Sequence, residues 1–268
     1  MVQVLLRSSR RFTDINFAGW GVVALVVLGW ELLTRTGALA LDYVPAPSAV
    51  LDTLISTTLT GALLADTGHT LGVAFAAFGS AVVIGGALGT LLALQRTVWI
   101  WTMASVDFLR SVPVIALMPI VLLVWGSSNL SEYLVATYSA TWLMVVNTLG
   151  GVRGVHERLH DVGQTLRLTR RDAVTKVILP AALPSVLVGA RLAAVSAFIA
   201  AIVAEMIIHP EGIGWALVSA QTALDSELLF AYAVASGILG YLVNAALVGG
   251  VSLAFPGMRQ LIQAGGAR

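Results

Sequence analysis

The stretch DVGQTLRLTRRDAVTKVILPAALP, residues 161–184, is the longest polar interval in an otherwise very apolar chain of 268 residues. It holds four of the fifteen basic residues: Arg167, Arg170, Arg171 and Lys176. Thr169 can cap a helix there, with Asp172 three positions on completing a capping-box pattern. Ala173, Val174, Val177 and Ile178 then recur at helical spacing on one face. Pro180 and Pro184 follow, each denying a backbone donor, so the chain is expected to turn before the next apolar helix begins. A short amphipathic helix held between two membrane spans is placed to touch something outside the membrane. These residues alone leave that partner unnamed.

At 58% hydrophobic and 11% charged residues, the chain is not a soluble domain with a large core. Several apolar runs exceed the roughly 18 residues that mark a membrane span. With no cysteine, disulfides and thiolate metal sites are excluded. Six spans are expected, at about 17–33, 67–94, 98–125, 133–149, 182–208 and 228–253. The second carries small residues every fourth position, Ala77, Ala81, Gly85 and Gly89, a stripe that allows close helix approach in lipid. Packing inside one subunit is the favoured reading of that stripe over a dimer seam. The third span is interrupted by Pro113 and Pro119. Between the first two lies a short amphipathic helix within 42–60, expected on the outer surface. There is no internal repeat, and the chain reads as one domain: a tail at 1–16, a transmembrane body at 17–253 with the polar loop at about 153–181, and a second tail at 254–268.

Charge sets the expected orientation. An even number of spans puts both termini on one side, together with Arg7, Arg10, Arg11, Arg96, Arg153, Arg158, Arg167, Arg170, Arg171, Lys176, Arg259 and Arg268, twelve of the fifteen basic residues. The opposite loops carry Asp42, Asp52, Asp66, Glu132, Glu211, Asp225 and Glu227, with only Arg35 beside them. By the positive-inside rule both termini and the polar loop are cytoplasmic, and the partner at that loop is a cytoplasmic one.

The polar stretch also resembles the cytoplasmic loop of ABC importer permeases, which has the form E-A-A, three residues, G, nine residues, I-x-L-P. Asp161-Val162-Gly163 stands at the E-A-A place, Arg167 at the G place, and Val177-Ile178-Leu179-Pro180 at the closing I-x-L-P. Two departures stand out: the acid is shortened to Asp, and the turn glycine is Arg, which tolerates positive φ poorly. The resemblance runs from about residue 48 to 253 and is to the taurine, alkanesulfonate and nitrate permeases. It is carried by FLRSVPVIALMP at 108–119, NTLGGVR at 147–153, LPAALP at 179–184 and AEM at 204–206. It implies an all-α, type I importer permease fold with a cytoplasmic coupling helix. The coupling residues would be Asp161, Gly163, Arg167, Asp172, Val174, Val177, Leu179 and Pro180, with Val174 and Val177 presenting the apolar face of the loop helix. It further implies a second permease copy, two cytoplasmic ATPase subunits, an extracytoplasmic solute-binding protein and a lipid surround, with no nucleic acid.

ATP chemistry is excluded within the chain. A P-loop needs a glycine-rich turn ending in Gly-Lys-Ser/Thr, and the only lysine, Lys176, follows Thr175. No cofactor is therefore expected here, and ATP and magnesium would belong to the partner ATPase. His156-Glu157-Arg158-Leu159-His160 is a formal H-E-x-x-H, the zinc pattern of metalloproteases. It lacks a third ligand nearby, since His69 and His209 fall near the opposite membrane surface, and its histidines are read as solvated. An intramembrane metalloprotease rests on that motif alone.

Ionisable residues inside spans are costly in lipid and are better leads. Asp107 and Arg110, three apart, can pair on one helix face. They are either a self-neutralising structural pair or part of a path, and the prolines at 113 and 119 favour the path. Such freed backbone is tolerated only against protein or a water-filled cavity. Arg191 is expected to snorkel from the cytoplasmic end of the fifth span. Glu205, near the outer end, looks like a glutamate that the permease family keeps there. Asn147 can bond across helices or serve packing. The reading is a permease subunit of an ATP-driven importer for a small anionic solute, with Asp107, Arg110, Asn147 and Glu205 as path candidates. The alternative is a secondary transporter driven by an ion gradient.

Overall fold

Every regular element among the described residues is helical, as expected where lipid leaves backbone donors and acceptors no other partner. The computed structural model describes residues 17–37, 43–156, 159 and 165–254. In chain order the helices are α1 (Phe17–Arg35), α2 (Pro47–Leu59), α3 (Ala62–Leu94), α4 (Arg96–Ser111), α5 (Val114–Trp125), α6 (Asn129–Arg153), α7 (Arg170–Ala173), α8 (Leu179–Glu205), α9 (Gly212–Thr222) and α10 (Ser226–Ala254). The expected tails lie outside the described residues at 1–16 and from 255 on, as do Asp161 and Gly163 of the coupling loop.

The core is a three-helix unit of α3, α6 and α8, closed by residues too small to hold the backbones apart. Ala77 and Ala81 of α3 meet Ala136, Ala140 and Met144 of α6 and Ala193, Ala197 and Ala201 of α8. The small-residue stripe of α3 is the seam with α6. A methyl at Gly85 would lie 2.7 Å from Cβ of Met144, and one at Gly89 2.7 Å from the Val145 carbonyl oxygen. The stripe therefore serves packing within one chain. α6, surrounded on two sides, carries its buried polar residues Ser131, Glu132, Thr141 and Thr148 into protein instead of lipid. α1, by contrast, is uncovered and apolar, with Val22, Val23, Leu25, Val26 and Leu28 all exposed, as a lipid-facing helix should be.

By length and composition, α3, α10 and the helix running from Arg170 to Glu205 are each long and apolar enough to cross a membrane. α4 and α5 reach that measure only as a pair, bent by 85° at the break. Pro113 makes the break: it starts α5 with φ −61°, and Val112 before it is extended at ψ 121°, the conformation a residue preceding proline prefers. Pro119 does not interrupt; it sits inside α5.

The expected turn before the fifth span is not there. α7 runs into α8 through one π turn, Val174–Ile178, and Pro180 and Pro184 sit in the first turns of α8. The π turn accounts for this. Leu179 N–H reaches back to the Val174 carbonyl, shifting the register just before Pro180, which has no donor to place. Two further elements complete the body. α2, started by Pro47, packs on α10, and α9, which no sequence pattern announced, is held among α3, α8 and α10.

Candidate functional site

The polar segment begins with a strained turn. Arg167, at the family's glycine place, has φ +50°, so the left-handed bend is kept although the residue carries a side chain. That conformation costs an L-residue roughly 1–2 kcal/mol, and glycine returns part of the gain as extra chain entropy. Arg167→Gly is therefore expected to leave stability unchanged or raise it by up to about 1 kcal/mol. Thermal unfolding of the detergent-purified protein measures this, and a lowered midpoint would contradict the strain argument.

The cap forms as the spacing predicts. Thr169 Oγ1 accepts the Asp172 N–H at 3.2 Å and donates to Asp172 Oδ2 at 2.7 Å. Lys176 Nζ lies 2.7 Å from Asp172 Oδ1, one helical turn on. The apolar face is covered by the chain itself. Ile178 is buried with Val152 and Ala182, and Val174 and Leu179 pack against that cluster. Val174, expected on the face offered to a partner, is thus turned inward. Val177 is half-buried, and the outward surface is made by Arg170, Arg171, Thr175, Lys176 and Pro180.

Arg110 and Asn147 come together at the break between α4 and α5. They line a cavity of about 290 Å³ with Tyr138, Ser139, Trp142 and Ser196. Local chemistry builds it. Pro113 cannot donate to the Leu109 carbonyl, which instead accepts Val112 N–H and the Tyr138 hydroxyl, tying the break to α6. Ser139 and Ser196 hydroxyls meet at 2.8 Å and join α6 to α8. Arg110 Nε donates to Asp107 Oδ1 at 2.8 Å, with both side chains about half exposed at 48% and 46%. Asn147 donates from Nδ2 to Leu143 O of its own helix, and its Cβ would lie 2.5 Å from a methyl at Gly189. Its side chain thus marks a close α6–α8 approach at the cavity edge. An apolar cavity adjoins it along Pro113, Ile115, Leu192 and Ile199.

The remaining span residues are elsewhere. Glu205 is fully buried at the end of α8, where Gly214 N–H donates to its Oε2 at 2.8 Å; it does not line either cavity. Arg191 does not reach away from the bundle, because its Nε donates to Asn244 Oδ1 of α10 at 2.7 Å. In the H-E-x-x-H stretch, Glu157 and His160 lie outside the described residues. Sequence reasoning missed Tyr138, Ser139 and Ser196 as cavity residues. Their signal was hydroxyls recurring inside expected spans, which singly look like ordinary back-bonding groups.

Comparisons with known proteins agree with this architecture. The chain is 27% identical over 221 residues to the putative aliphatic sulfonates transport permease protein SsuC of Bacillus subtilis (strain 168), covering 82% of this chain and 80% of that one. It is 30% identical to a probable ABC transporter permease protein of Brucella melitensis biotype 1, covering 82% and 89%. To the nitrate import permease protein NrtB of Leptolyngbya laminosa it is 32% identical, over 63% of this chain and 60% of that one. Among solved structures, an inward-facing MetNI methionine ABC transporter superposes with a TM-score of 0.64 at 20% identity, covering 73% of this chain and 97% of that one. That match bears on the fold alone. Residues 81–260 match the family described as binding-protein-dependent transport system inner membrane component, and over that majority of its 268 residues the chain belongs to this family of ABC importer permeases.

Proposed function

We propose that the chain is one of two identical permease subunits that together form the path for a small anionic solute, driven by ATP hydrolysis on two separate cytoplasmic subunits. The observation that carries the reading is Arg110 at the α4–α5 break, facing a cavity instead of the chain's own core. A guanidinium left against lipid near mid-membrane would cost about 2.5–3.5 kcal/mol on insertion scales. This favours a face closed by a second copy around water. The exposed Ile115, Leu192 and Ile199 around the adjoining apolar cavity suit such a seam. The aliphatic sulfonate and nitrate permeases among the relatives support an oxyanion as solute, and a guanidinium fork suits that geometry.

In this reading both termini and the 153–181 segment are cytoplasmic. An extracytoplasmic binding protein delivers the solute at the other end, and ATP with magnesium is held by the partner subunits. Because α7 continues into α8, a push on Arg170, Arg171 or Lys176 is carried along one helical rod past Ser196 of the cavity. No separate linker has to stiffen first.

A single cysteine at Thr175, in a chain that has none, tests orientation and docking together. We expect a membrane-impermeant thiol reagent to label it only in permeabilised cells or inside-out vesicles, and co-expressed ATPase to protect it. Labelling in intact cells would refute the orientation. Equal labelling with and without a copurifying ATPase would refute the docking, and uptake driven by an ion gradient alone would favour a secondary transporter.

A further inference from the structure

We propose that the end of the bundle opposite the polar segment holds a divalent transition-metal site, of the zinc type, with His69, His209 and Glu211 as ligands and Glu132 behind the imidazoles. The residues are far apart in sequence and are brought together by three elements: His69 from the first turns of α3, Glu132 from the start of α6, and His209 and Glu211 from the turn between α8 and α9. One ligand atom from each of His69, His209 and Glu211 lies within 4.8 Å of the other two. His69 Nδ1 is 3.1 Å from Glu211 Oε2. Bonds of about 2.0–2.1 Å at tetrahedral angles put neighbouring ligand atoms roughly 3.3 Å apart, so this spacing suits two corners of a zinc shell.

The surroundings of His69 have the form that a metal-bound histidine requires. A ligating imidazole normally donates its other N–H to a carboxylate, which fixes the tautomer. His69 Nε2 lies 2.9 Å from Glu132 Oε2, which leaves Nδ1 free to face Glu211. His209 Nδ1 lies 3.4 Å from Glu132 Oε1, and its ring stacks on that of His69 with an interplanar angle of 3°. Glu132 is fully buried, yet its Oε1 makes no hydrogen bond among the described residues, and neither does His209 Nδ1.

Charge points the same way. Among the described residues Glu132 pairs with no lysine or arginine, and the buried carboxylate faces only the imidazoles of His69 and His209. A dication at the rim supplies that compensation. Imidazole and carboxylate ligands with one position left to water match zinc, while calcium and magnesium prefer all-oxygen shells. The bound ion would cross-link the start of α3 to the α8–α9 turn.

The probe is Zn²⁺ itself, added to full-length permease purified in detergent without a polyhistidine tag and dialysed to equilibrium. One zinc per chain is expected. Glu211 is 60% exposed, so Glu211→Ala should fold normally while weakening binding at least about tenfold; a comparable loss is expected for Glu132→Gln from the supporting position. His69→Ala and His209→Ala should abolish stoichiometric binding, whereas the pair His156→Ala with His160→Ala should leave it intact. Zinc should raise the melting temperature of the wild type and not that of Glu211→Ala. The proposal is overturned by absence of stoichiometric zinc, by unchanged affinity in the folded Glu211→Ala protein, or by loss of binding only in the His156, His160 variant.

Discussion

Arg110→Gln is expected to cut ATP-driven uptake about tenfold to a hundredfold, the range set by losing one charge-assisted hydrogen bond worth roughly 1.5–3 kcal/mol at the crossing step. Assembly with the ATPase and basal hydrolysis should stay intact, because Arg110 sits at the α4–α5 break and not near the outward residues of α7. Gln is close in length but uncharged, so it isolates the charge. Arg110→Lys should recover part of the uptake by restoring a point charge without the fork. The measurement is solute uptake into proteoliposomes loaded with ATP, with hydrolysis followed in the same preparation.

The competing account is structural. Arg110 Nε is 2.8 Å from Asp107 Oδ1, and removing the guanidinium leaves that carboxylate without its partner. On that account Arg110→Gln lowers yield, and the double change Asp107→Asn with Arg110→Gln restores both yield and transport. On the path account the double change restores yield and leaves uptake low. Full uptake in the double variant would therefore sink the path role of Arg110 and remove the main physical argument for an anionic solute.

The fold was legible where the signal is local. Apolar runs placed the long helices, Thr169 and Asp172 placed the start of α7, and Pro113 marked the break in the third span. It was misleading at Pro180 and Pro184. Proline breaks a helix by withholding a donor, but a preceding π turn changes which carbonyl needs one, and no residue pattern in VTKVI announces that turn. α9 was missed because it is only 11 residues long and follows the turn residues His209-Pro210-Glu211, which look like loop up to the next span.

The candidate sites divide along the same line. Arg110 with Asp107 was readable because the partners are three residues apart. Tyr138 and Ser196 were not, since only the packing of α6 against α4 and α8 brings them to Arg110. His69, Glu132, His209 and Glu211 are the sharper case. The H-E-x-x-H at 156–160 drew attention by spacing, while these four have no spacing to notice. The usable signal lay one level up: the expected topology places all four at the same membrane surface, and ligands on separate helices can converge there.

The largest expected loss of stability comes from one methyl group, in Gly214→Ala. Gly214 lies in the first turn of α9, and a Cβ there would sit 2.1 Å from the Ile202 carbonyl oxygen and 2.8 Å from Cβ of Glu205. Both obstacles belong to the last turns of α8, and one is backbone, so no rotamer change relieves the clash. The contact also keeps Gly214 N–H on the buried Glu205 carboxyl group at 2.8 Å, and separating α9 from α8 would break that hydrogen bond. Overpacking alone costs typically about 1–3 kcal/mol, and a buried donor or acceptor left unpaired adds roughly as much again. The sign makes the test decisive. In an open helical position Ala is favoured over Gly by about 1 kcal/mol, so a site without the clash would be stabilised by the same change. Gly237→Ala in α10, where a methyl meets nothing within 4 Å, supplies that reference. We expect Gly237→Ala to melt at or above the wild-type temperature, and Gly214→Ala to give little folded protein. A Gly214→Ala protein as stable as the reference would mean that α9 does not dock on α8 at this distance, and that Glu205 is not held by the α9 backbone.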